Sequence, residues 1–405
     1  MNSLHRPVYI SGMGAVSALG LGVSALADAV FEGKSGVRPI SFGENKQQFI
    51  KTAASLPEIP LEKNPRRTTS SNVDIVTTIG LLAAKEAMEQ AKWPEGMPLG
   101  QDAAVIVGTG IGALATLEVE YHKHFVTGGR SDPFTIPKVM PSASASHISM
   151  AYGAQGPSFS VSSACSSSSQ AIGVALSLIR SGMARRAIVG GTEALLTHTG
   201  FRAWEALRVM SPTLCRPFSK GRDGMILGEG AAIMLIETED ALKQRGGEPI
   251  CELAGFGTTS DAADILRPDA ASCARAMRNA LIDAGLSPQD IGYLNAHGTG
   301  TILNDQTETL AMQEIFGDQL AQLPVSSTKP VHGHTLGAAG AIELIVTIEA
   351  LRRQMAPPTI NWLEADAHCI ANPVPNQAVP TKMNAAMSNS FAFGGINSCL
   401  VVRKV

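Results

Sequence analysis

The stretch SVSSACSSSSQAIGVALSLIRSG (residues 160–182) carries the most information in this 405-residue sequence. A short apolar segment ends near Val161 and is followed by Cys165 and a run of small residues. From residue 171 to 179 the sequence is then apolar on all sides of a helix, and such a helix is buried. The pattern predicts a buried strand, a turn that carries Cys165, and a buried helix.

Cys165 at the start of that helix would be a reactive thiol. The unpaired N–H groups and the dipole of a helix start lower a thiol pKa, and the thiolate is the reactive form. The small residues let a substrate carbonyl approach the backbone N–H of Cys165, which then serves as one oxyanion donor. Taken alone, the stretch is equally typical of a buried structural thiol.

Short apolar runs bounded by glycine alternate with helical patterns along most of the chain. Buried strands are predicted at 103–107, 187–189, 231–236 and 400–402. One helix face is predicted from the i, i+4, i+7, i+8 spacing of Ile75, Ile79, Leu82 and Ala83. The alternation indicates an α/β fold.

A weak internal repeat divides the chain into two parts. VYISGMGAVSA from Val8 resembles CELAGFGTTSD from Cys251, and the Gly-Thr-Gly turn at 108–110 recurs at 298–300. Because the order is the same in both parts, we expect a duplicated α/β unit whose longer first half carries insertions. Chance similarity between glycine-rich turns is the alternative. The expected halves are 1–250 and 251–405.

The composition favours a globular protein that acts on small molecules or proteins. Hydrophobic residues make up 44% and charged residues 17%, which excludes a disordered chain. The net charge of −3 comes without a basic block, so no nucleic-acid partner is expected. No apolar run reaches the roughly 18 residues of a membrane span, and residues 8–10 are strand-like, so we expect a cytoplasmic protein. The six cysteines lack CxxC or CxxH spacing, so most should be buried apolar residues.

Two histidines lie in glycine-rich turns after predicted strands. His297 belongs to YLNAHGTGT and His334 to SSTKPVHGHTLGAAGAIE, with Lys329 five positions before it. Each histidine alone is more typical of a hydrogen-bonded or solvated loop side chain. His332 and His334 together could suggest a metal site. However, the sequence has no HExxH and no carboxylate or cysteine nearby at ligand spacing, which disfavours metal catalysis.

A third motif, SNSFAFGGINSCLVV, places Phe393 before Gly394 and Gly395. The glycine pair is suited to a hinge, and the Phe393 amide could face the thiol as a second oxyanion donor. Otherwise Phe393 is an ordinary core aromatic. The turn at 108–112 lacks the GxGxxG spacing and no Walker A motif occurs, so no nucleotide cofactor is predicted.

The chain closely resembles the chain-elongating type II β-ketoacyl-[acyl-carrier-protein] synthases in the motifs around Cys165, His297, Lys329, His334 and Phe393. The resemblance covers essentially the whole chain, including the block CRPFSKGRDGMILGEGAA. It implies a thiolase-like fold, an α/β architecture in which two duplicated halves form five αβαβα layers, and usually a dimer. The CRPFS and RPD features, with NAHGTGT, resemble the specialised nodulation-type and aryl-polyene-type synthases.

The resemblance implies a role for each of these residues. Cys165 corresponds to the nucleophile that accepts the acyl group, and His297 and His334 to the pair that polarises the malonyl thioester carbonyl during decarboxylation. Lys329 corresponds to the lysine of that site. Loss of CO2 leaves an enolate, so two imidazole donors stabilise charge where it develops. The chain grows by two carbons without a cofactor, and the implied partners are acyl carrier protein and its malonyl and acyl thioesters.

Two departures from the fatty-acid pattern bear on specificity. Ala392 replaces a glycine of the usual gate, which predicts a stiffer hinge. The facing loop keeps Asp261 but has Asp264 and Leu266 where housekeeping synthases tend to have histidine and threonine, so a different acyl preference is expected. With Ile111, these loop residues are assigned to the acyl pocket.

Carrier docking and ion binding are assigned from weaker matches. Acyl carrier proteins are acidic, so basic residues at the pocket mouth are expected to bind them, although a solvated charge cluster is equally consistent. The docking candidates are Lys63, Arg66, Arg67 and Arg208. The positions that hold a structural monovalent cation in some relatives correspond to Asn295, Glu343, Ser388 and Asn389.

Other functions stay open at this point. A thiolase would need a second cysteine near the C-terminus, but the corresponding loop holds Ala392 and Phe393, and Cys399 lies in a predicted strand. An initiating ketosynthase would have asparagine in place of His334. The chain could also be the active half of a heterodimer with a chain-length partner, or a non-catalytic scaffold, although such scaffolds typically lack the nucleophile. The prediction is an acyltransferase, as a homodimer or a heterodimer.

Overall fold

The computed structural model describes residues 6–43, 48–58 and 73–405. Its strands are β1 (Val8–Ser17), β2 (Gly20–Leu21), β3 (Arg38–Pro39), β4 (Thr52–Ala53), β5 (Ala103–Gly108), β6 (Ser158–Val161), β7 (Arg186–Glu193), β8 (Gly230–Thr238), β9 (Cys251–Ser260), β10 (Ile291–Asn295), β11 (Val325–Ser326), β12 (Met355–Ala356), β13 (Val379–Pro380), β14 (Ala385–Ala392) and β15 (Ile396–Arg403). Its α-helices are α1 (Val23–Phe31), α2 (Ile75–Gln90), α3 (Leu114–Phe125), α4 (Thr135–Val139), α5 (Ala143–Tyr152), α6 (Ser167–Arg180), α7 (His198–Ala206), α8 (Glu239–Gln244), α9 (Ala270–Ala284), α10 (Ile302–Phe316), α11 (Lys329–His332) and α12 (Ala339–Arg353). The four predicted strands lie within β5, β7, β8 and β15, so those predictions are confirmed.

The main strands form two mixed sheets with the same topology. The first sheet has the order β6-β5-β7-β8-β1 and the second has the order β11-β10-β14-β15-β9. In both sheets the first three strands of that order are parallel, and the last two are each antiparallel to the strand before them. The two sheets meet where β1 pairs with β9, at Ile10 with Cys251.

The repeated stretches of the sequence occupy equivalent places in the two sheets. VYISGMGAVSA and CELAGFGTTSD form most of β1 and β9, which are the first strands of the two halves. The Gly-Thr-Gly turns at 108–110 and 298–300 come after β5 and β10, which are the second strands. The predicted duplicated α/β fold is therefore confirmed.

Five layers follow from this arrangement. Helices α6 and α12 pack against each other and against strands of both sheets, so they form the central layer. Helix α2 covers the outer face of the first sheet, and α9 with α10 covers that of the second. The central helices lie so close that a Cβ at Gly340 would be 1.9 Å from Ser169 Oγ. Among the described residues, no helix is long and apolar enough to cross a bilayer.

The predicted helix of α2 is present, but its buried face differs from the prediction. Ile75 is 38% exposed and Leu82 is half-buried, whereas Val76 is buried. The glycines of β1 set this orientation, because a Cβ at Gly12 or Gly14 would collide with a main-chain carbonyl oxygen of α2. The helix therefore lies with its backbone against the sheet, an approach that its own hydrophobic spacing does not reveal.

Candidate active site

The turn between β6 and α6 places Cys165 at the start of a buried helix, as the sequence predicts. A 3-10 turn at Ala164–Ser166 leads directly into α6. His297 follows β10, and His334 follows α11. One side-chain atom from each of Cys165, His297 and His334 lies within 4.8 Å of the other two. Residues that are far apart in the sequence thus form one buried cluster.

Two groups contact the Cys165 thiol. His334 Nε2 lies 3.1 Å from Sγ, and the backbone N–H of Phe393 donates a hydrogen bond to Sγ. The start of α6 also favours a thiolate. Burial is the larger effect, and it raises the pKa of the Cys165 thiol to about 12 against the Lys329 charge and the Phe393 N–H. The expectation of a lowered thiol pKa is therefore wrong, because it took the helix start into account but not the burial.

The partners of His334 fix its tautomer. The backbone N–H of Leu336 donates to His334 Nδ1 at 3.3 Å. A neutral imidazole that accepts at Nδ1 carries its hydrogen on Nε2, the atom that faces Cys165. Burial, the Lys329 charge and His332 hold the pKa of His334 well below its usual value near 6.5. His334 is therefore a neutral hydrogen-bond donor.

Lys329 fixes the tautomer of His297 in the same way. Its buried ammonium group donates to His297 Nδ1 at 3.4 Å, to the His297 carbonyl oxygen and to Glu343. The hydrogen of a neutral His297 therefore lies on Nε2. Burial, the Lys329 charge and His334 hold the pKa of His297 well below 6.5. The two rings lie 5.4 Å apart, so two neutral N–H donors stand side by side, as oxyanion stabilisation requires.

The same cluster is less suited to a metal ion. A metal needs a lone pair on the imidazole nitrogen that it binds, but His334 carries hydrogen on the nitrogen that faces Cys165. His332 has no free ring nitrogen with which to bind a metal ion in this cluster. Its two ring nitrogens contact the Thr328 hydroxyl at 2.9 Å and the Gly333 carbonyl oxygen at 2.8 Å.

Glu308 is a site residue that the sequence analysis missed. Its buried carboxylate accepts the backbone N–H groups of His297 and Gly298, each at 2.8 Å. Burial raises the pKa of Glu308, and these N–H bonds oppose the rise. Glu308 therefore holds the turn that carries His297. The available signal was an acidic side chain on a helix that begins directly after the HGTGT motif.

Glu193, at the end of β7, plays the corresponding part in the first half and was also missed. Its buried carboxylate accepts N–H groups from Gly110 at 2.5 Å and from Gly337 at 3.0 Å. It also accepts the N–H groups of Ile111 and Gly112, each at 3.2 Å. One carboxylate thus joins the loop after β5 to the segment that follows His334.

The gate turn (residues 392–395) connects β14 to β15 beside Cys165. Gly394 and Gly395 have φ values of 84° and 67°, in the left-handed region that favours glycine. The Gly394 N–H donates to the Ile265 carbonyl oxygen at 2.8 Å, and the Gly395 carbonyl oxygen accepts the Asp261 N–H at 2.9 Å. Phe393 itself is half-buried and lines a cavity, which distinguishes it from an ordinary core aromatic.

A cavity of about 360 Å³ contains the cluster. Cys165, His297, His334 and Phe393 line it. Exposed side chains are also part of its lining, so the cavity opens at the surface. These include Leu207, Arg208, Ile265, Leu266, Ile302 and Leu303. The lining is mostly apolar around a few polar groups, which is typical of a ligand-binding pocket.

The assigned specificity residues are only partly in this cavity. Asp264 and Leu266 line it. Asp261 lies outside the lining and instead holds the gate turn through its N–H. Ile111 is 47% exposed and is not part of the cavity lining in the single chain, so its assignment to the acyl pocket stays a prediction. Glu193 binds the backbone N–H of this residue at 3.2 Å.

The docking candidates are mostly beyond what the structure describes. Lys63, Arg66 and Arg67 lie outside the described residues. Arg208 is described, is exposed, and lies at the mouth of the cavity. Its role in carrier docking stays a prediction.

The four residues assigned to a monovalent cation fit an ion site unequally. All four are buried. Within the described part of the chain, Glu343 Oε2 and Ser388 Oγ have no hydrogen-bond partner. Buried oxygen atoms without a partner are suited to bind a cation. The Asn389 side chain does not fit, because its oxygen accepts the Cys399 thiol at 2.6 Å and its amide nitrogen donates to Glu308 at 3.1 Å.

Comparisons with known proteins agree with this geometry. A family profile described as "Beta-ketoacyl synthase, N-terminal domain" matches residues 5–241, and "Beta-ketoacyl synthase, C-terminal domain" matches residues 250–363. Nodulation protein E of Rhizobium meliloti is 39% identical over 404 residues, which cover 99% of this chain and 100% of that protein.

Two further similarities extend over the full length. The 3-oxoacyl-[acyl-carrier-protein] synthase 2 of Staphylococcus aureus (strain COL) is 36% identical over 411 residues, which cover 99% of each chain. Among solved structures, the ishigamide ketosynthase/chain length factor superimposes with a TM-score of 0.94 at 30% identity and covers 99% of this chain and 100% of that one.

Proposed function

Because this chain belongs to the β-ketoacyl synthase family, we propose that it condenses an acyl group on Cys165 with malonyl-acyl carrier protein and so lengthens the acyl chain by two carbons. The observation that carries the proposal is the pair of neutral histidines beside Cys165. Leu336 and Lys329 leave the hydrogen of each ring on Nε2. This is the donor pair that a developing enolate oxygen needs.

In the proposed first half-reaction, the Cys165 sulfur attacks the carbonyl carbon of an acyl thioester. The carbon–sulfur bond to the carrier breaks, and the carrier thiol leaves with the proton that Cys165 gives up. The proposed donors to the tetrahedral oxyanion are the Phe393 N–H, which donates to Sγ, and the Cys165 N–H. The high thiol pKa makes this proton transfer part of the reaction rather than a preceding step.

In the second half-reaction, the malonyl thioester carbonyl accepts hydrogen bonds from His297 and His334. The bond to the carboxylate breaks, CO2 leaves, and the electron pair becomes an enolate. The enolate carbon attacks the acyl carbonyl on Cys165 and expels the sulfur, which takes up a proton as the new β-ketoacyl chain departs. Lys329 acts as a positioning residue in this scheme, because it orients His297 and is itself held by Glu343.

We also assign a docking surface for the carrier protein, a site for a bound ion and a cellular compartment. Carrier docking is assigned to the cavity mouth at Arg208 and to Lys63, Arg66 and Arg67. A monovalent cation is assigned to Asn295, Glu343 and Ser388, with Asn389 beside them. A cytoplasmic location is in keeping with the six cysteines, which are all free thiols. The division into halves at 250 and 251 is supported by the start of β9 at Cys251.

We further propose that the chain works as a dimer. Helix α3 has no fully buried residue among its twelve, all of them described, and it leaves Phe125 78% exposed. Val126, Ile136 and Met150 are also exposed nearby in the sequence. Exposed apolar surface of this extent is typical of a subunit interface. The partner is a second copy or a related chain-length chain, and the intact cluster around Cys165 favours the catalytic half over a non-catalytic scaffold.

Intact-protein mass spectrometry tests the proposal directly. The purified chain is incubated with acyl carriers of several chain lengths, then with malonyl carrier, both alone and with candidate partner chains. We expect acylation at Cys165, mapped by peptide digestion, followed by a product longer by two carbons. Absence of Cys165 acylation under every condition, or acylation at a different cysteine, would contradict the assignment.

A further inference from the structure

The indole ring of Trp204 stacks on the ring of Phe393. Their centroids are 6.1 Å apart and their planes differ by 19°. Both side chains line the cavity that contains Cys165. Phe393 also donates its backbone N–H to the Cys165 sulfur, so the stacked ring belongs to the residue that contacts the nucleophile. A movement of the Phe393 ring away from Trp204 therefore changes the environment of Cys165.

The gate turn is held on its other side by main-chain bonds. Gly394 and Gly395 bond to Ile265 and Asp261 of the facing loop (residues 261–268). Glycine at both positions gives the turn the conformational freedom to move. These bonds involve the main chain of the turn and do not hold the Phe393 side chain. The Phe393 ring instead stacks on the ring of Trp204. The contact with Trp204 can therefore fix the position of the Phe393 ring.

Helix α7 gives Trp204 a fixed support. Thr197 caps the helix by accepting the Gly200 N–H, and Phe201 of the same helix is fully buried. The Glu205 carboxylate, next to Trp204, accepts the N–H groups of Phe49 and Ile50 at 2.9 and 2.7 Å. A turn with two glycines thus faces an anchored helix, so we expect the gate turn, and not α7, to move.

We propose that Trp204 is a specificity-determining positioning residue, which holds Phe393 over Cys165 until an acyl chain displaces the ring. The inference rests on the proposed function. An entering chain must break the aromatic contact before it reaches the thiol. A chain that fills the space left by Phe393 recovers the lost apolar contact, whereas a chain that is too short or badly shaped does not. Trp204 would therefore increase the difference in loading rate between acyl chains.

The test uses Trp204→Leu, which removes the ring, and Trp204→Phe, which keeps an aromatic surface. Acylation rates of Cys165 are measured with small acyl-pantetheine thioesters of two chain lengths and with the same chains on the carrier. Trp204→Leu should lower the ratio of the two loading rates by about 2- to 13-fold, the range that corresponds to one aromatic pair. Trp204→Phe should restore most of the wild-type ratio. Adding Phe393→Leu to Trp204→Leu should cause no further change, because both remove the same contact.

Iodoacetamide alkylation of Cys165 provides a readout that does not depend on the proposed reaction. Trp204→Leu should speed alkylation and Trp204→Phe should not. An unchanged loading ratio with unchanged alkylation in Trp204→Leu, or additive effects in the double variant, would overturn the inference. An effect confined to carrier-bound donors would overturn it as well, since Trp204 would then be a docking residue. If wild-type Cys165 is never acylated, the proposed function fails, and the alkylation rates still decide whether Trp204 holds the gate.

Discussion

The backbone N–H of Leu336 donates to Nδ1 of His334 and so determines what the other ring nitrogen can do at Cys165. Nε2 carries the hydrogen and lies 3.1 Å from the sulfur. The His334 ring therefore donates a hydrogen bond to negative charge that develops beside it. It does not act as the base that takes the thiol proton. Lys329 imposes the same state on His297.

Replacing Cys165 with alanine should abolish chain elongation and leave malonyl decarboxylation, because the acyl group loses its attachment point while His297 and His334 remain. Decarboxylation is measured as CO2 release from malonyl carrier, and elongation as β-ketoacyl carrier by mass spectrometry. Cys369→Ala, at a free cysteine outside the cavity lining, is the matched control and should retain both activities. Elongation that survives in Cys165→Ala would refute the role of the nucleophile.

His297→Ala and His334→Ala should each lower the decarboxylation rate by about 10² to 10³, the usual effect of losing one oxyanion donor. The rate is measured in the Cys165→Ala background, so that loading does not interfere. His368→Ala, at an exposed histidine, serves as the control. If either site variant decarboxylates at the parental rate, the two histidines do not share the proposed task.

Decarboxylation should be nearly independent of pH between 8 and 5.5. Burial and the Lys329 charge hold the pKa of both histidines well below 6.5, so lowering the pH to 5.5 leaves them neutral. An imidazole with an ordinary pKa near 6.5 would be about nine-tenths protonated at pH 5.5. The pH profile is recorded in Cys165→Ala, with circular dichroism at each pH to confirm folding. An acid limb centred near pH 6.5 would show that the histidines titrate normally.

Phe393→Ala should keep the chemistry and loosen the choice of acyl chain, because the amide remains while the ring is lost. Gly394→Val should impair both, since a β-branched residue is strained at a φ of 84°. Loading and elongation are measured separately across several chain lengths, with Phe393→Tyr as the variant that keeps a ring. An unchanged preference profile in Phe393→Ala would mean that the ring does not select chains.

Glu308→Gln should destabilise the fold and slow decarboxylation. The carboxylate accepts two backbone N–H groups and the Asn389 amide. A glutamine amide in its place presents an NH2 group to at least one of these donors, which costs about 1 to 3 kcal/mol for an unmatched buried donor. The loss is measured by urea unfolding. Glu314→Gln, on the exposed side of α10, is the control and should be nearly neutral. Equal stability of the two variants would argue against the role of Glu308.

The sequence indicated the duplicated fold and the residues around Cys165 because these depend on short motifs. Glu193 and Glu308 escaped notice, since a carboxylate that binds main-chain N–H groups needs only the right place in the fold and has no characteristic spacing. The thiol pKa was misjudged for a related reason. The helix start is visible in the sequence, whereas the burial of Cys165 arises from residues contributed by both halves.

The matching strand orders of the two sheets place the two parts of the site at equivalent positions. Cys165 follows β6, the third strand of the first half, while Lys329 and His334 follow β11, the third strand of the second half. The two copies thus supply different groups from equivalent positions. The first half supplies the nucleophile, and the second half supplies the hydrogen-bond donors. Because the site needs groups from both copies, a change that shifts the central helix of one half relative to that of the other would separate Cys165 from His334.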